Sequence, residues 1–295
     1  MLFPRVPDEH KEGKPLVPNG LGVLYVLFTT VYLFSLYFLG IVKPVNGVSA
    51  PLTLAVCVLF GGFMGLLDDW VDLKWRYKAF MPLIAALPLM YLAQALEQAH
   101  QLRTSIMLPL VGTIDFSSNY YFILIPLIVM IVTNTVNMLG GLNGLESVCP
   151  AIVLLGLLGM SELSSQPYTF MFVPVLFWII LAVFNFRGKI FVGNVGSFAI
   201  GMTIASFAVI TDLKSGLLVS ILPYVFNSSL ILLTIFFVRK KATVMFDGKK
   251  LVSDHRRSLV TLITYKRLLT ERQVVAIISL LVAFFTVLAV LVEIF

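Results

Sequence analysis

The residues whose types and spacing could do chemistry fall in four short stretches. The first runs from Leu67 to Lys78. It has adjacent acids at Asp68 and Asp69, a third at Asp72, and basic residues at Lys74, Arg76 and Lys78. Two neighbouring carboxylates at a helix end are costly near lipid unless solvated or paired. They read either as a solvated end balanced by the three bases or as an oxygen-rich Mg²⁺ site, since Mg²⁺ takes carboxylates together with phosphate oxygens. The second stretch, Thr133 to Glu146, holds Asn134 and Asn137, three apart on one helix face, then Asn143 and Glu146 among Gly140, Gly141 and Gly144. Such groups in apolar surroundings need partners. They either bond helix to helix or line a site whose glycines let the backbone approach a ligand.

The third stretch, Arg187 to Ser197, places Gly193 and Asn194 where a helix begins. Free N–H groups at a helix start, with basic neighbours, suit a diphosphate, although small residues also serve helix packing. The fourth is the basic segment 239–271, with Arg239-Lys240-Lys241 and then Asp254-His255-Arg256-Arg257. It reads as attraction to anionic headgroups, about 1 kcal/mol per basic residue, or as an arm of the same site. His255 alone reads as a solvated histidine.

The elements that must position these groups are membrane helices. Hydrophobic residues make up 59% of the 295, charged residues 12%, and mean hydropathy is +0.98. A soluble domain carries roughly twice that charge, so the bilayer is the solvent. Runs long enough for a hydrocarbon core of about 20 residues lie near 20–42, 50–67, 79–98, 119–138, 145–161, 168–186, 192–211, 216–238 and 272–294. The expected fold is therefore all-α and polytopic, with about nine transmembrane helices in a single transmembrane domain, 1–295. The basic segment 239–271 precedes the last helix. Nothing suggests the alternating strands of a barrel, a cleavable leader or internal repeats. Cys57 and Cys149 suggest neither a disulfide framework nor a metal cluster. With the N-terminus inside, 18 of the 21 basic residues fall on cytoplasmic segments and only Lys43, Arg103 and Lys214 fall outside. The positive-inside rule fixes that orientation and accounts for most of the +6 net charge without a nucleic-acid partner.

Under this topology all four stretches meet at the cytoplasmic face. Carboxylates, amides, a helix start and a basic arm together fit Mg²⁺-assisted phosphoryl transfer at the membrane surface. A transporter would instead place polar groups near the midplane, often in repeated halves.

At these residues the chain resembles the polyprenyl-phosphate N-acetylhexosamine-1-phosphate transferases, and most closely the archaeal and eukaryotic dolichyl-phosphate N-acetylglucosamine-1-phosphotransferases. The resemblance runs from Lys14 to the C-terminus. It rests on Asp68-Asp69 with Leu73-Lys74-Trp75-Arg76-Tyr77-Lys78, on Thr133-Asn134 through Asn143-Gly144-Leu145-Glu146, and on Phe191-Val192-Gly193.

The resemblance implies that GlcNAc-1-phosphate passes from UDP-GlcNAc to a polyprenyl (dolichyl-type) phosphate with release of UMP. This would be the first membrane step of lipid-linked oligosaccharide synthesis for N-glycosylation. It implies Mg²⁺, or Mn²⁺ in its place, as cofactor. Asp68, Asp69 and Lys78 become the catalytic set: the acids position the acceptor, hold metal or orient Lys78, and Lys78 pairs with phosphate. Asn137 becomes a metal ligand, with Asn194 at the family's main metal position. Asn143 would contact uracil, with Glu146 beside it in the substrate set. Arg239, Lys240 and Lys241 lie where the family has an Arg/His motif that contacts the sugar-diphosphate. His255, with Arg256, takes that place only if the segment folds back.

Departures from the family pattern carry expectations of their own. Asn194 stands where the family has Asp, which predicts weaker Mg²⁺ binding and reduced turnover. The alternative function is then a homologue that binds nucleotide-sugar or polyprenyl phosphate without efficient catalysis. The family usually has ten spans, and this chain begins at what resembles the loop after the first. At Asn19 eukaryotic members have Glu. The short basic segment, without a large inserted domain, leans toward an archaeal cell membrane over endoplasmic reticulum. Oligomeric state stays open, a homo-oligomer included.

Overall fold

Each apolar run becomes a helix because a backbone in lipid must satisfy its own hydrogen bonds. The structure is a computed structural model and describes residues 3–108, 112–163, 169–239 and 242–294. A hairpin of β1 (Arg5–Pro7) and β2 (Leu16–Pro18), with Val6 opposite Val17, precedes α1 (Gly22–Phe38). Then come α2 (Ala50–Val71), α3 (Trp75–Phe80) and α4 (Pro82–Gln98). A second antiparallel hairpin follows, β3 (Ser105–Leu108) with β4 (Gly112–Asp115). A π-helical turn at Tyr120–Leu124 leads into α5 (Ile125–Met138), followed by α6 (Leu145–Leu163), α7 (Phe172–Phe186) and α8 (Gly193–Ile210). The chain continues through α9 (Lys214–Ser220) and α10 (Leu222–Leu233) to a third hairpin, β5 (Met245–Phe246) with β6 (Leu251–Val252). It ends with α11 (Leu259–Ile263) and α12 (Glu271–Ile294).

Among the described residues, seven helices are long and apolar enough to cross a membrane. α9 and the helix from Leu222 to Val238 are bent by 54° where Pro223 opens the second piece, and counted together as one broken span they bring the number to eight. The 17-residue α1 is apolar but shorter. Every run marked in the sequence is therefore helical, and the protein is an integral membrane protein. One boundary differs from expectation. Asp68 and Asp69 lie within the last turn of α2, which runs on to Val71 and closes at Asp72 in a left-handed conformation.

At the centre stands α8, with residues Val195 to Ile210 all buried. Small side chains let its neighbours approach, the usual device for helix packing in lipid. The tightest approach is to α2: a Cβ added at Gly65 would lie 2.2 Å from the Asn194 carbonyl oxygen. Gly65→Ala should therefore push the start of α8 away and cost about 2 kcal/mol. Thermal unfolding in detergent checks this, and an unchanged midpoint would show that the two backbones do not touch here.

Lys/Arg-poor connections gather at the opposite end. There Arg103 Nε pairs with Asp212 at 2.6 Å, the buried Lys214 also pairs with Asp212, and Glu293 accepts from the Gly216 N–H at 3.2 Å. Two of the three basic residues expected outside thus share one acid.

Candidate active site

The two adjacent acids of α2 have separate tasks. Successive helix residues point about 100° apart, so Asp68 and Asp69 face different neighbours. Asp68 turns toward α3, where Lys78 Nζ pairs with its Oδ1 at 2.7 Å and the Leu73 N–H donates to the same oxygen at 3.0 Å. Lys78 also reaches Asp72 at 3.5 Å. Asp69 turns toward α8. Its Oδ1 accepts from the Asn194 N–H and its Oδ2 from the Val195 N–H, each at 3.1 Å. The expectation that the start of α8 presents free N–H groups to a diphosphate is corrected here: a carboxylate on α2 takes two of them, an N-cap supplied from another helix.

Asp69 lies on one wall of a cleft of about 410 Å³. The end of α5 supplies Asn137, and the following turn supplies Gly140, Gly141 and Asn143. Glu146 comes from α6, Asn194 and Ser197 from α8, and Asn19 from the segment before α1. Ser197 Oγ donates to Asn137 Oδ1 at 2.5 Å, tying α8 to α5. The Asn194 side chain also reaches the Asp69 carboxylate. Asn134, three residues before Asn137, faces elsewhere and donates to the carbonyls of Ala79 and Met130 at 3.3 and 2.8 Å.

Asn143 is held from three sides. Its N–H donates to Glu271 Oε1 at 2.7 Å, and its Nδ2 donates to Asp8 Oδ2 at 2.8 Å and Glu271 Oε1 at 3.0 Å. Lys11 pairs with the same Asp8 oxygen at 2.9 Å. The segment between β1 and β2 thereby forms a cleft wall, with Asp8, Glu9 and His10 in the lining. Sequence reasoning missed it; its signal was an Asp and a Lys three apart in a short polar hairpin.

Asn185 was missed too. It is fully buried near the end of α7. Its Oδ1 accepts from the Gly144 N–H at 2.9 Å and Ser147 Oγ at 2.7 Å. Its Nδ2 donates to Glu146 Oε1 at 3.2 Å and the Ile190 carbonyl at 2.9 Å. A lone amide in an apolar run was the available signal. Asn185→Leu strands those partners and should cost about 3 kcal/mol. An unfolding midpoint within error of the parent would contradict that hub role.

The remaining expected residues lie beside the cleft or outside the described residues. Asp68 and Lys78 do not line it. The basic segment does fold back: the Leu259 N–H donates to Asn227 Oδ1 at 2.9 Å, and Ala242, Thr243 and Val244 form a neighbouring groove with Gly140 and Gly141. His255 Nε2 accepts from the Thr243 N–H at 3.3 Å, and the Arg256 guanidinium lies 4.1 Å over the Tyr265 ring. Arg239 closes the turn Thr234–Val238 in a left-handed conformation. None of these three side chains lines the cleft. Lys240 and Lys241 lie outside the described residues.

Around Asn137 and Asn194 the donor set fits Mg²⁺ only in company. Asp69 spends both oxygens on α8, and Glu146 accepts from Asn185 and from the Val192 N–H. The amide oxygens of Asn137 and Asn194 are neutral donors, so a hard dication there needs charged phosphate oxygens from a ligand.

Residues 50–212 match the glycosyl transferase family 4. The chain is 30% identical over 294 residues to a protein of Saccharolobus solfataricus, a match covering 97% of this chain and 87% of that one. That relative is provisionally named a UDP-N-acetylglucosamine–dolichyl-phosphate N-acetylglucosaminephosphotransferase. A Dictyostelium discoideum protein bearing the same name without the qualifier is 25% identical over 268 residues, covering 75% of this chain and 62% of its own. A glycosyltransferase, provisionally so named, of Methanocaldococcus jannaschii is 26% identical over 299 residues, covering 97% and 87%.

Proposed function

The chain belongs to glycosyl transferase family 4, and from that premise we propose that it transfers GlcNAc-1-phosphate from UDP-GlcNAc to a polyprenyl phosphate of the dolichyl type, releasing UMP. The observation that carries this is one cleft, at the Lys/Arg-rich end of the bundle, gathering Asp69, Asn137, Glu146 and Asn194 from four helix ends and Asn143 from the turn between α5 and α6. A lipid phosphate oxygen attacks the β-phosphorus, a new P–O bond forms, and the bond to the bridging oxygen breaks as UMP leaves. The acceptor is already an anion, so no strong general base is needed. Catalysis then rests on positioning and charge.

Asn143, fixed by Asp8 and Glu271, presents the nucleotide end of the cleft. Asp69 holds the start of α8 so that Asn194 and Ser197 face Asn137. Asn137 and Asn194 would hold Mg²⁺, or Mn²⁺, together with diphosphate oxygens, and the ion would neutralise charge developing on the leaving phosphate. The Asp68–Lys78 pair braces α2 against α3 beside the cleft. Asn194 favours a second reading, a homologue that binds these ligands with little turnover.

Radiolabelled GlcNAc-1-phosphate transfer to a polyprenyl phosphate, run with the parent and Asn194→Asp, tests the proposal. Product in either form supports it. No product in both, with UDP binding intact, would leave a binding protein only. An archaeal cell membrane is the location this reading favours, given two archaeal relatives matched along nearly the whole chain.

A further inference from the structure

A second cavity of about 700 Å³ is lined by α6, α7 and the start of α12. Its walls are apolar, with Ile152 from α6 and Ile179, Val183 and Phe186 from α7. Only its mouth is charged: Arg187 caps α7 and Arg272 opens α12. Both ends belong to the Lys/Arg-rich face, where the headgroup layer lies. Among the described residues neither arginine side chain has an ion pair or hydrogen bond, and neighbouring Glu271 is turned away onto Asn143.

An apolar slot open to the bilayer and closed at the headgroup level by two bare guanidinium groups matches one chemistry: a phosphate diester on a hydrocarbon chain. Guanidinium donors suit phosphate geometry, and basic pockets between transmembrane helices select anionic lipids. The geometry points to a site for one anionic glycerophospholipid, its phosphate between Arg187 and Arg272 and an acyl chain along α6 and α7. The reaction's lipid acceptor is a poorer occupant. Neither arginine lines the cleft, and the two cavities share no lining residue. A phosphate held here stays outside the reaction space.

Native mass spectrometry of the full chain in detergent, titrated with dioleoylphosphatidylglycerol and dioleoylphosphatidylcholine, tests this. The parent should retain one phosphatidylglycerol about 30-fold more tightly than phosphatidylcholine, from two basic contacts. The double variant Arg187→Gln/Arg272→Gln should lose that preference while keeping its weak phosphatidylcholine binding. Val183→Trp, which fills the slot, should weaken both lipids. The proposal is overturned by equal retention of the two lipids in the parent, or by a preference that survives the double variant. It is also overturned if the parent is a lipid-free dimer, or if a polyprenyl phosphate is retained through these arginines and phosphatidylglycerol is not.

Discussion

Asn194→Asp raises the rate of sugar-phosphate transfer, on the order of 100-fold at saturating Mg²⁺. The amide now sits on the cleft wall and reaches the Asp69 carboxylate. It is a neutral neighbour for Asp69 and a weak ligand for a hard cation. A carboxylate in its place would repel Asp69 in the absence of metal and bind a dication strongly in its presence. The substitution should therefore do two things together: speed transfer, and make thermal stability depend on Mg²⁺, with an unfolding midpoint that falls on chelation and recovers on adding the ion. The parent's midpoint should respond little. Transfer rates equal in parent and variant, with no Mg²⁺ dependence of the variant's melting, would remove Asn194 from the metal position.

The second large effect is expected at Asp69. Asp69→Ala frees the N–H groups of Asn194 and Val195 and removes the tie between α2 and α8. As a lost helix cap it should cost about 1 kcal/mol. Its effect on catalysis should be far larger, because a displacement of about 1 Å at the reacting groups can cost 100-fold. We expect kcat to fall by that order while KM for UDP-GlcNAc changes little. Asp69→Asn, whose side-chain oxygen can still accept from one N–H, should be intermediate in stability. A loss of less than about threefold in Asp69→Ala would mean that the cap does not set the geometry of the cleft.

The spans, and the end of the bundle that holds the cleft, were legible in the sequence because both depend on one-dimensional patterns: apolar runs of bilayer length, and the bias of Lys and Arg between their ends. The roles inside the site were not. Asp68 and Asp69 looked like a pair with one function, but helix rotation sends Asp68 to Lys78 and Asp69 to a backbone 125 residues away. Asn134 and Asn137 looked like one polar face, yet only Asn137 reaches the cleft. Asp8, Asn185 and Glu271 carried no local signal strong enough to join them to Asn143 and Glu146, since their partners come from distant segments. The basic segment was placed at the right end, but His255 and Arg256 bind their own segment, at Thr243 and Tyr265.

The burial of α8 also bears on how the protein is made. A helix rich in Gly, Ala, Ser and Thr, wrapped by α1, α2, α5 and α6, gains less from lipid than the Leu- and Val-rich α12, whose outer face stays open. During synthesis α8 emerges after α1 to α7, so α2 and α5 are already in the bilayer when it enters. Its retention there should draw on those earlier helices, in the second stage of membrane folding where packing replaces lipid. α12 should insert by its own hydrophobicity even when moved to a foreign protein. The helix that carries Asn194 would then be the one least able to find its place alone.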